Sequence, residues 1–494
     1  MIVKKNADEI QNYLSDASNF RGNPDCVYIP ESEEELIELV KKCSWQNIKL
    51  TVAGNGTGLT GGRVAETGSI VSLELLNKII EINEMEKFAV LEPAVLLGEF
   101  NTILKQKNLY YPPDPTEQNC FIGATVATNA SGAKSFKYGA TRKFVEELRV
   151  ILPDGEIVEI KRGEYVADGY NLLFKTLSGK SIALEIPEIQ MPGIKHAAGY
   201  YCKKNMDLAD LFIGSEGTLG IITKIKLKLI DYPSDILSAV IFFDNEKDAL
   251  KMIFEARRLS REFKAANNST SINAMGLEFF DADSLAFLRD EFPAIPQNTG
   301  AAVWFEQDYS PENEEKLLEE WMNLIENNNG DMEKSWFATD ESDRFKFINF
   351  RHAVSGKVNE FISRNNMRKV GTDLAVPDDK FEEFYFTAKK TAAESGIRNI
   401  AYGHFGDSHL HLNMLPANEA EFKQAKIIYK ELCLSAIKLG GTISAEHGVG
   451  KIKREYLLDM FGNERIRKMA SIKKQLDRNL ILNYGNIFFE DFLN

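Results

Sequence analysis

The chain has 494 residues, which is enough for about two or three domains with hydrophobic cores of their own. Its 44% hydrophobic and 27% charged residues are ordinary for a globular protein, and its net charge of −14 at pH 7 argues against a nucleic-acid partner, because phosphate binding needs a basic face. No run approaches the roughly 18 apolar residues of a transmembrane helix, and the N-terminus turns acidic before a signal-peptide core appears. We therefore expect a cytoplasmic protein without a transmembrane segment, and peripheral membrane association stays open.

The cysteines indicate a reducing compartment. There are five, an odd number, and none are spaced like a metal or redox motif: Cys26, Cys43, Cys120, Cys202 and Cys433. We expect buried thiols and no iron–sulfur cluster held by this chain.

A helix-capping signal and a strand precede a glycine-rich loop in the first part of the chain. Ser32 and Glu35 form a capping box that predicts a helix through about Cys43, and residues 48–52 then read as a strand. Residues 53–62 hold five glycines, so their amides can approach an anion closely. The spacing of residues 56–61 fits a Rossmann fingerprint, but no helix pattern follows, and no Lys-Ser/Thr follows as in a P-loop. A tight surface loop is the alternative.

Further signals follow in the first half of the chain. Residues 69–73 and 88–92 predict short strands, and 111–116 are rigid and proline-rich. Small residues dominate 123–133, so a flat ligand can lie against the backbone there. Residues 149–158 predict a hairpin with an Asp-Gly turn, and 211–222 form another small-residue loop that ends in a strand.

The pattern changes after residue 232. A strand over 238–243 and a helix over about 246–263 open an alternation of helical and strand signals that continues to about residue 401. We predict a first domain over 1–232, a second α+β domain over 233–450, and helices over 451–494 that return to the first domain.

Four of the six histidines lie in two short stretches, residues 402–413 and 444–450. Polar and apolar residues alternate from Ser408 to Met414, which places His409, His411 and Asn413 on one face of a strand. His404 precedes a Gly-Asp turn that allows its ring to swing back beside His411.

These stretches have the composition of an open metal site. Two imidazoles and a carboxylate leave a coordination position for water or substrate, and a further histidine beside them is a natural proton acceptor. Glu446 and His447 precede Gly448, whose backbone freedom lets both side chains aim at one site. The alternative is that the histidines are core residues satisfied by hydrogen bonds, which is less expected for so dense a cluster.

Together these motifs resemble the vanillyl-alcohol oxidase superfamily, also called the PCMH-type FAD-binding fold. The stretches at 402–413 and 444–450 resemble its D-2-hydroxyacid dehydrogenase branch, and the likeness runs from about residue 28 to 488, including the terminal motif at 477–488. The resemblance implies an α+β protein: a PCMH-type FAD-binding domain of two α/β subdomains, plus an α+β cap domain for the substrate.

The resemblance implies that the glycine-rich loop wraps the FAD diphosphate. The expected FAD-binding residues are Ala53, Gly54, Asn55, Gly56, Thr57, Gly58, Leu59, Thr60, Pro113, Asp114, Thr116, Gly123, Ala124, Asn129, Gly132, Tyr138, Gly139, Glu216, Gly217, Ile221 and Asn483. Relatives that attach FAD covalently use a histidine or cysteine in the first loop, whereas Asn55 and Thr57 offer no such nucleophile. We therefore expect non-covalent FAD.

The resemblance also assigns the catalytic residues. It implies that His404, His411 and Glu446 bind a divalent metal, most naturally Zn²⁺ with Mn²⁺ or Fe²⁺ as alternatives, and that His447 is the base. His409 stands where relatives often carry Asn, and we do not count it as a ligand. The expected substrate contacts are Arg351, Lys369 and Asn413. A surface ion pair is the alternative for Arg351.

The activity implied is oxidation of a small D-2-hydroxy acid, of lactate, glycolate or 2-hydroxyglutarate type, with an electron-acceptor protein or quinone as partner. A homodimer is compatible with the resemblance. Three alternatives stay open: a metal-dependent hydrolase, which would have no use for the glycine-rich half; an FAD-carrying subunit of a glycolate oxidase-type complex; and an alkyl-glycerone-phosphate synthase-like flavin transferase.

Overall fold

The computed structural model describes residues 1–265, 270–365 and 367–493. They form two compact units. Unit 1 contains residues 1–131, 140–232 and 443–494, and unit 2 contains residues 132–139 and 233–442.

Unit 1 is built on two sheets that follow the strand signals of the first half of the chain. A four-stranded sheet has the order Ile2–Lys4, Val27–Ile29, Ser69–Ser72, Leu50–Ala53, and its last three strands are parallel. A five-stranded antiparallel sheet has the order Ile79–Asn83, Phe88–Leu91, Ile221–Lys228, Val145–Ile151, Ile157–Lys161. Two smaller pairs are Asn171–Lys175 with Ser181–Glu185, and Leu109–Tyr110 with Ile230–Asp231.

The helices of unit 1 begin and end where local chemistry predicts. They are Ala7–Ile10, Glu33–Gln46, Leu97–Gln106, Ile122–Thr128, Leu208–Phe212 and Arg454–Leu476, with short 3₁₀ turns at Gln11–Tyr13, Thr141–Lys143 and Glu490–Phe492. The Ser32 side chain accepts a hydrogen bond from the Glu35 amide, which confirms the predicted cap, and the helix runs a few residues beyond Cys43. The last long helix is interrupted at Gly462, where φ is 75°.

The predicted Asp-Gly hairpin is confirmed. Val145–Ile151 pairs antiparallel with Ile157–Lys161, and Gly155 takes a φ of +81° in the connecting turn. A core of buried side chains from helix Glu33–Gln46 and both main sheets, including Leu36, Val71 and Ile151, then packs unit 1 together.

Unit 2 is an antiparallel sheet covered by helices. Its eight strands have the order Trp336–Phe337, Asp235–Phe243, Ala301–Tyr309, Gly276–Asp281, Asn399–Gly403, His409–Met414, Val370–Gly371, with Leu374–Ala375 also pairing with His409–Met414. The helices are Ser135–Tyr138, Glu246–Lys264, Ala282–Leu288, Glu314–Asn327, Glu341–Arg364, Phe381–Glu394 and Glu419–Lys438, with 3₁₀ turns at Asp378–Lys380 and Phe405–Asp407. Phe242, Phe280 and Phe350 lie in an apolar cluster of this unit, and burial of each such ring contributes about 1.5–3 kcal/mol.

The units differ from the predicted domains in two segments, and hydrogen bonds explain both. Residues 132–139 belong to unit 2, where Ser135 Oγ donates to Asp407 Oδ2 at 2.7 Å and Lys137 pairs with Asp308. Residues 443–450 belong to unit 1, where Glu216 accepts the amides of Val449 and Gly450. The domain boundaries at 232 and 450 stay predictions.

In the parts of the chain that the structure describes, none of the helices combines the length and hydropathy of a transmembrane span.

Candidate functional site

The glycine-rich loop lines a cavity in unit 1. Residues 54–68 form neither helix nor strand after the strand Leu50–Ala53, so the loop is not the strand-to-helix turn of a Rossmann fold. The predicted FAD residues that line the cavity are Ala53, Gly54, Asn55, Gly56, Thr57, Gly58, Thr60, Gly123, Ala124, Glu216, Gly217, Ile221 and Asn483. His447 lines the same cavity.

The other predicted FAD residues are placed differently. Leu59, Pro113, Asp114, Thr116 and Asn129 belong to unit 1 but lie outside the lining of the cavity. Gly132, Tyr138 and Gly139 belong to unit 2. Their roles stay predictions.

Close backbone packing explains why small residues surround the cavity. A Cβ on Gly123 would lie 2.5 Å from Pro93 Cβ, and a Cβ on Gly54 would lie 3.0 Å from Ala124 Cβ. A larger side chain at Gly54 would force the loop away from the helix Ile122–Thr128, and one at Gly123 would force that helix away from Pro93. A cavity lined by a glycine-rich loop and small side chains fits the diphosphate and flat rings of FAD.

Glu216 and Asn483 hold the walls of this cavity. The two Glu216 carboxylate oxygens accept the amides of Val449 and Gly450, each at 2.7 Å. Burial raises the pKa of Glu216, and these two amides oppose that shift. Asn483 accepts the Val52 amide at 2.7 Å and donates to the Glu216 carbonyl at 2.8 Å. Both residues therefore fix the loops that line the cavity.

Arg63 is a brace that the sequence analysis missed. Its guanidinium donates to the carbonyls of Gly54, at 2.9 Å, and Ser15, at 3.2 Å, and also contacts the Asn12 carbonyl. The Ala17 amide donates to the Gly56 carbonyl at 2.9 Å. The N-terminal segment is therefore part of the site. No motif signals this, because the partners are backbone carbonyls that any residue offers.

Glu446 and His447 lie on a turn. The turn requires the left-handed backbone of Gly448, whose φ is +77°. Ser444 Oγ closes the turn by donating to the Gly448 carbonyl at 2.7 Å. Glu446 Oε2 lies 3.1 Å from Lys195 Nζ and 3.3 Å from Ser131 Oγ, and Glu446 Oε1 lies 3.5 Å from His447 Nε2. Lys195 and Ser131 were not predicted, since both are far from residue 446 in sequence.

Three histidines come together in unit 2. His409 and His411 project from one face of the strand His409–Met414, as the alternation predicts, and His404 precedes the 3₁₀ turn Phe405–Asp407 that brings the chain back. The ring centroids of His404 and His411 are 5.3 Å apart. One ring nitrogen from each of the three histidines lies within 4.8 Å of the others.

The partners of His404 and His411 fit a metal-binding role. His411 Nδ1 lies 3.1 Å from the Thr372 carbonyl, which only accepts, so Nδ1 carries the proton and Nε2 keeps its lone pair. His404 Nδ1 lies 2.7 Å from Glu278 Oε1, which gives the same tautomer. A metal-binding histidine commonly donates through one ring nitrogen to a carboxylate or carbonyl and binds the metal through the other.

Glu278 joins His404 to Arg351. Arg351 Nε donates to Glu278 Oε2 at 3.1 Å, and both side chains are buried. Burial alone would raise the Glu278 pKa, but its interactions with His404 and Arg351 outweigh burial and lower that pKa to about 2. The surface ion pair considered for Arg351 is therefore wrong, because its ion pair is buried.

The remaining predicted substrate residues, Lys369 and Asn413, lie at or beside two paired strands. Lys369 immediately precedes the strand Val370–Gly371, in which Gly371 pairs with Asn413. Burial lowers the Lys369 pKa. His409 Nε2 lies 2.9 Å from Asp373 Oδ1. His404 and His411 belong to unit 2 and Glu446 to unit 1, so the three-residue ligand set stays a prediction.

The chain matches two protein-family models. Residues 24–161 match a model described as an FAD binding domain, and residues 233–487 match one described as the C-terminal domain of FAD linked oxidases.

Curated relatives cover nearly the whole chain. A D-lactate dehydrogenase of Anaerostipes hadrus is 30% identical, over 95% of this chain and 90% of its own length. The glycolate oxidase subunit GlcD of Bacillus subtilis (strain 168) is 28% identical, over 97% and 92%. A D-2-hydroxyglutarate dehydrogenase of Stutzerimonas stutzeri (strain A1501) is 27% identical, over 98% and 96%.

Solved structures share the fold. A p-cresol methylhydroxylase matches with a TM-score of 0.69 at 16% identity, covering 98% of this chain and 93% of its own. This likeness confirms the PCMH-type fold class predicted from the sequence.

Proposed function

The chain belongs to the FAD-linked oxidases, and we propose that it oxidises a small D-2-hydroxy acid, of lactate, glycolate or 2-hydroxyglutarate type, to the 2-oxo acid. Its classification as an FAD-dependent dehydrogenase rests on the family models and on the relatives. The observation that carries the proposal is the position of His447, which lines the same cavity as the glycine-rich loop.

His447 is suited to accept a proton beside the cofactor. Its side chain is 27% exposed and lines the cavity. A neutral imidazole is an effective base near physiological pH, so we assign His447 to removal of the substrate hydroxyl proton. FAD, when bound, supplies the hydride acceptor.

His404 and His411, with Glu446, are the residues that we propose hold a divalent metal. The hydrogen bonds that fix the Nδ1 atoms of the two histidines support this role. A nitrogen-and-carboxylate set suits Zn²⁺, with Mn²⁺ or Fe²⁺ as alternatives. Such a metal would supply Lewis acidity at the substrate oxygens.

The substrate carboxylate is assigned to Arg351, with Lys369 and Asn413 as further polar contacts. Arg351 uses Nε on Glu278, and a guanidinium carries five N–H donors, which suits a carboxylate. The buried Glu278 holds the guanidinium in one orientation, so that a carboxylate meets a preorganised donor.

A second candidate function is that of an FAD-carrying subunit in a larger complex. It is favoured by the likeness to a protein named as a glycolate oxidase subunit. In either function we propose that electrons leave to an acceptor protein or a quinone. We also propose that the chain forms a homodimer and associates peripherally with a membrane.

A panel of D- and L-2-hydroxy acids, assayed with an artificial electron-accepting dye, tests the proposal. We expect the purified chain alone to reduce the dye with at least one D-acid and to produce the matching 2-oxo acid. Reduction only after addition of partner proteins would favour the subunit function. No flavin reduction by any 2-hydroxy acid would contradict the proposed reaction, and a transferase would turn over without net dye reduction.

A further inference from the structure

Asp16 lines the FAD cavity and carries a carboxylate oxygen with no donor. Asp16 as a whole is only 8% exposed, and it belongs to the lining of the cavity. Oδ1 accepts the Ser18 amide at 3.0 Å and also the Ser18 hydroxyl. Oδ2 is fully buried and has no hydrogen-bond partner in the described part of the chain.

The position of Asp16 is fixed from both sides. Its neighbour Ala17 donates to the Gly56 carbonyl at 2.9 Å, and its neighbour Ser15 accepts from Arg63. A Cβ built on Gly58 would lie 3.9 Å from Asp16 Oδ2, so the oxygen stands beside the middle of the glycine-rich loop.

The unpaired Oδ2 lowers the stability of the folded protein unless a hydrogen-bond donor reaches it. Burial raises the pKa of the Asp16 carboxyl, and the Ser18 donors, the Gly61 amide and the Arg63 charge oppose that shift. The Gly61 amide does not reach hydrogen-bonding geometry with Oδ2. A buried acceptor without a donor pays its desolvation penalty in full, so such atoms call for a specific explanation.

The chemistry of FAD supplies one. The loop amides and Arg63 suit the diphosphate, which carries no donor of its own near neutral pH. Oδ2 is an acceptor and suits the opposite kind of group. The donors that flank a diphosphate in FAD are the hydroxyls of the ribose on one side and of the ribityl chain on the other.

We propose that Asp16 Oδ2 accepts a hydrogen bond from an FAD hydroxyl beside the diphosphate. Asp16 thereby orients the cofactor on the loop and excludes a second anionic group from that position. The inference rests on FAD binding, which the family establishes, and does not depend on the identity of the substrate.

Release of FAD from the full-length holoenzyme tests the proposal. Asp16→Asn keeps the shape but replaces the charged acceptor by a neutral one, and Asp16→Ala removes it. We expect Asp16→Ala to accelerate FAD release by roughly 10- to 100-fold, the range of a hydrogen bond to a charged group, and Asp16→Asn to act in the same direction by less. Flavin fluorescence recovery after dilution measures the rate. Unchanged or slower release from Asp16→Asn would overturn the proposal, because the carboxylate would then only repel the diphosphate.

Ser18→Ala is the matched control, because it removes a donor from Oδ1 and leaves Oδ2 in place. We expect release from Ser18→Ala to stay close to wild type. Release as fast as from Asp16→Ala would overturn the proposal, since Asp16 would then act only by fixing its own turn. If Asp16→Ala does not fold, Asp16→Asn carries the test.

Competition with ADP and FMN identifies the hydroxyl. Weaker displacement of FAD by ADP in Asp16→Asn assigns the bond to the ribose, and weaker displacement by FMN assigns it to the ribityl chain. If Asp16→Asn binds both fragments as well as wild type does, the proposal fails. Dye reduction by the wild-type enzyme is unaffected by that outcome, so the proposed function stands or falls separately.

Discussion

His404 Nδ1 lies 2.7 Å from the Glu278 carboxylate, which also accepts a hydrogen bond from Arg351 at 3.1 Å. One buried carboxylate thus orients a predicted metal ligand and a predicted substrate residue. It connects the two roles through a residue that no motif in the sequence singles out.

Glu278→Gln should lower metal affinity about 10- to 100-fold, because the neutral amide no longer fixes the His404 ring. FAD should be retained, since Glu278 belongs to unit 2 and the FAD cavity lies in unit 1. Elemental analysis and the flavin spectrum of the same sample measure both. Glu394→Gln, at an exposed helix position, is the control. Full metal content in Glu278→Gln would show that His404 needs no carboxylate partner.

The base and the metal ligands should separate by mutation. His447→Ala should keep metal and FAD but lose flavin reduction by substrate by at least about hundredfold. His404→Ala should instead lose metal, as should wild type treated with a chelator, while the flavin spectrum stays largely intact. A metal-free His447→Ala would make His447 a ligand. A nearly active His447→Ala would move the role of base to His409.

FAD should be non-covalent. Asn55 and Thr57 line the cavity and carry no nucleophile for attachment to the flavin. Acid precipitation of the holoenzyme should therefore release all flavin into the supernatant. Yellow colour that stays with the precipitated protein would contradict this expectation.

Lys473→Met should destabilise unit 1 by about 3–5 kcal/mol, because it leaves the charge of Asp477 buried without its partner. Lys473 Nζ lies 2.8 Å from Asp477 Oδ2 and donates to the carbonyls of Thr218 and Leu482. The free energy of unfolding in urea is the measurement.

Lys468→Met is the control for that prediction, since its ion pair with Glu464 is on the same helix but exposed, and exposed pairs contribute little. Equal effects of the two lysine variants would rule out a special role for the buried pair.

The stability should also depend on His196. Burial, together with Arg142 and Lys203, lowers its pKa from 6.5 to about 4, so the folded state keeps the ring neutral. The unfolded chain takes up a proton first as the pH falls, so stability present above pH 6.5 is lost on the way down to about pH 4. His196→Gln should show a shallower loss across this window. Identical slopes for the variant and wild type would mean that His196 titrates normally.

Local sequence patterns predicted several elements of the fold. The Ser32 cap, the Asp154-Gly155 hairpin and the alternation from His409 to Met414 each report hydrogen bonds or faces within a few residues, and the structure has all three. The glycine-rich loop is likewise visible from composition, because only small residues permit the close backbone contacts found at Gly54 and Gly123.

The partners of the site residues were decided by tertiary structure. Glu278 is 126 positions from His404, and Lys195 is 251 positions from Glu446. Asp16 enters the cavity wall because Arg63 donates to the Ser15 carbonyl and the Ala17 amide donates to the Gly56 carbonyl, which holds the N-terminal segment beside the loop. A sequence pattern identifies which residues carry useful chemistry, whereas the distances that give each residue its hydrogen-bond partner depend on how remote strands and loops pack together.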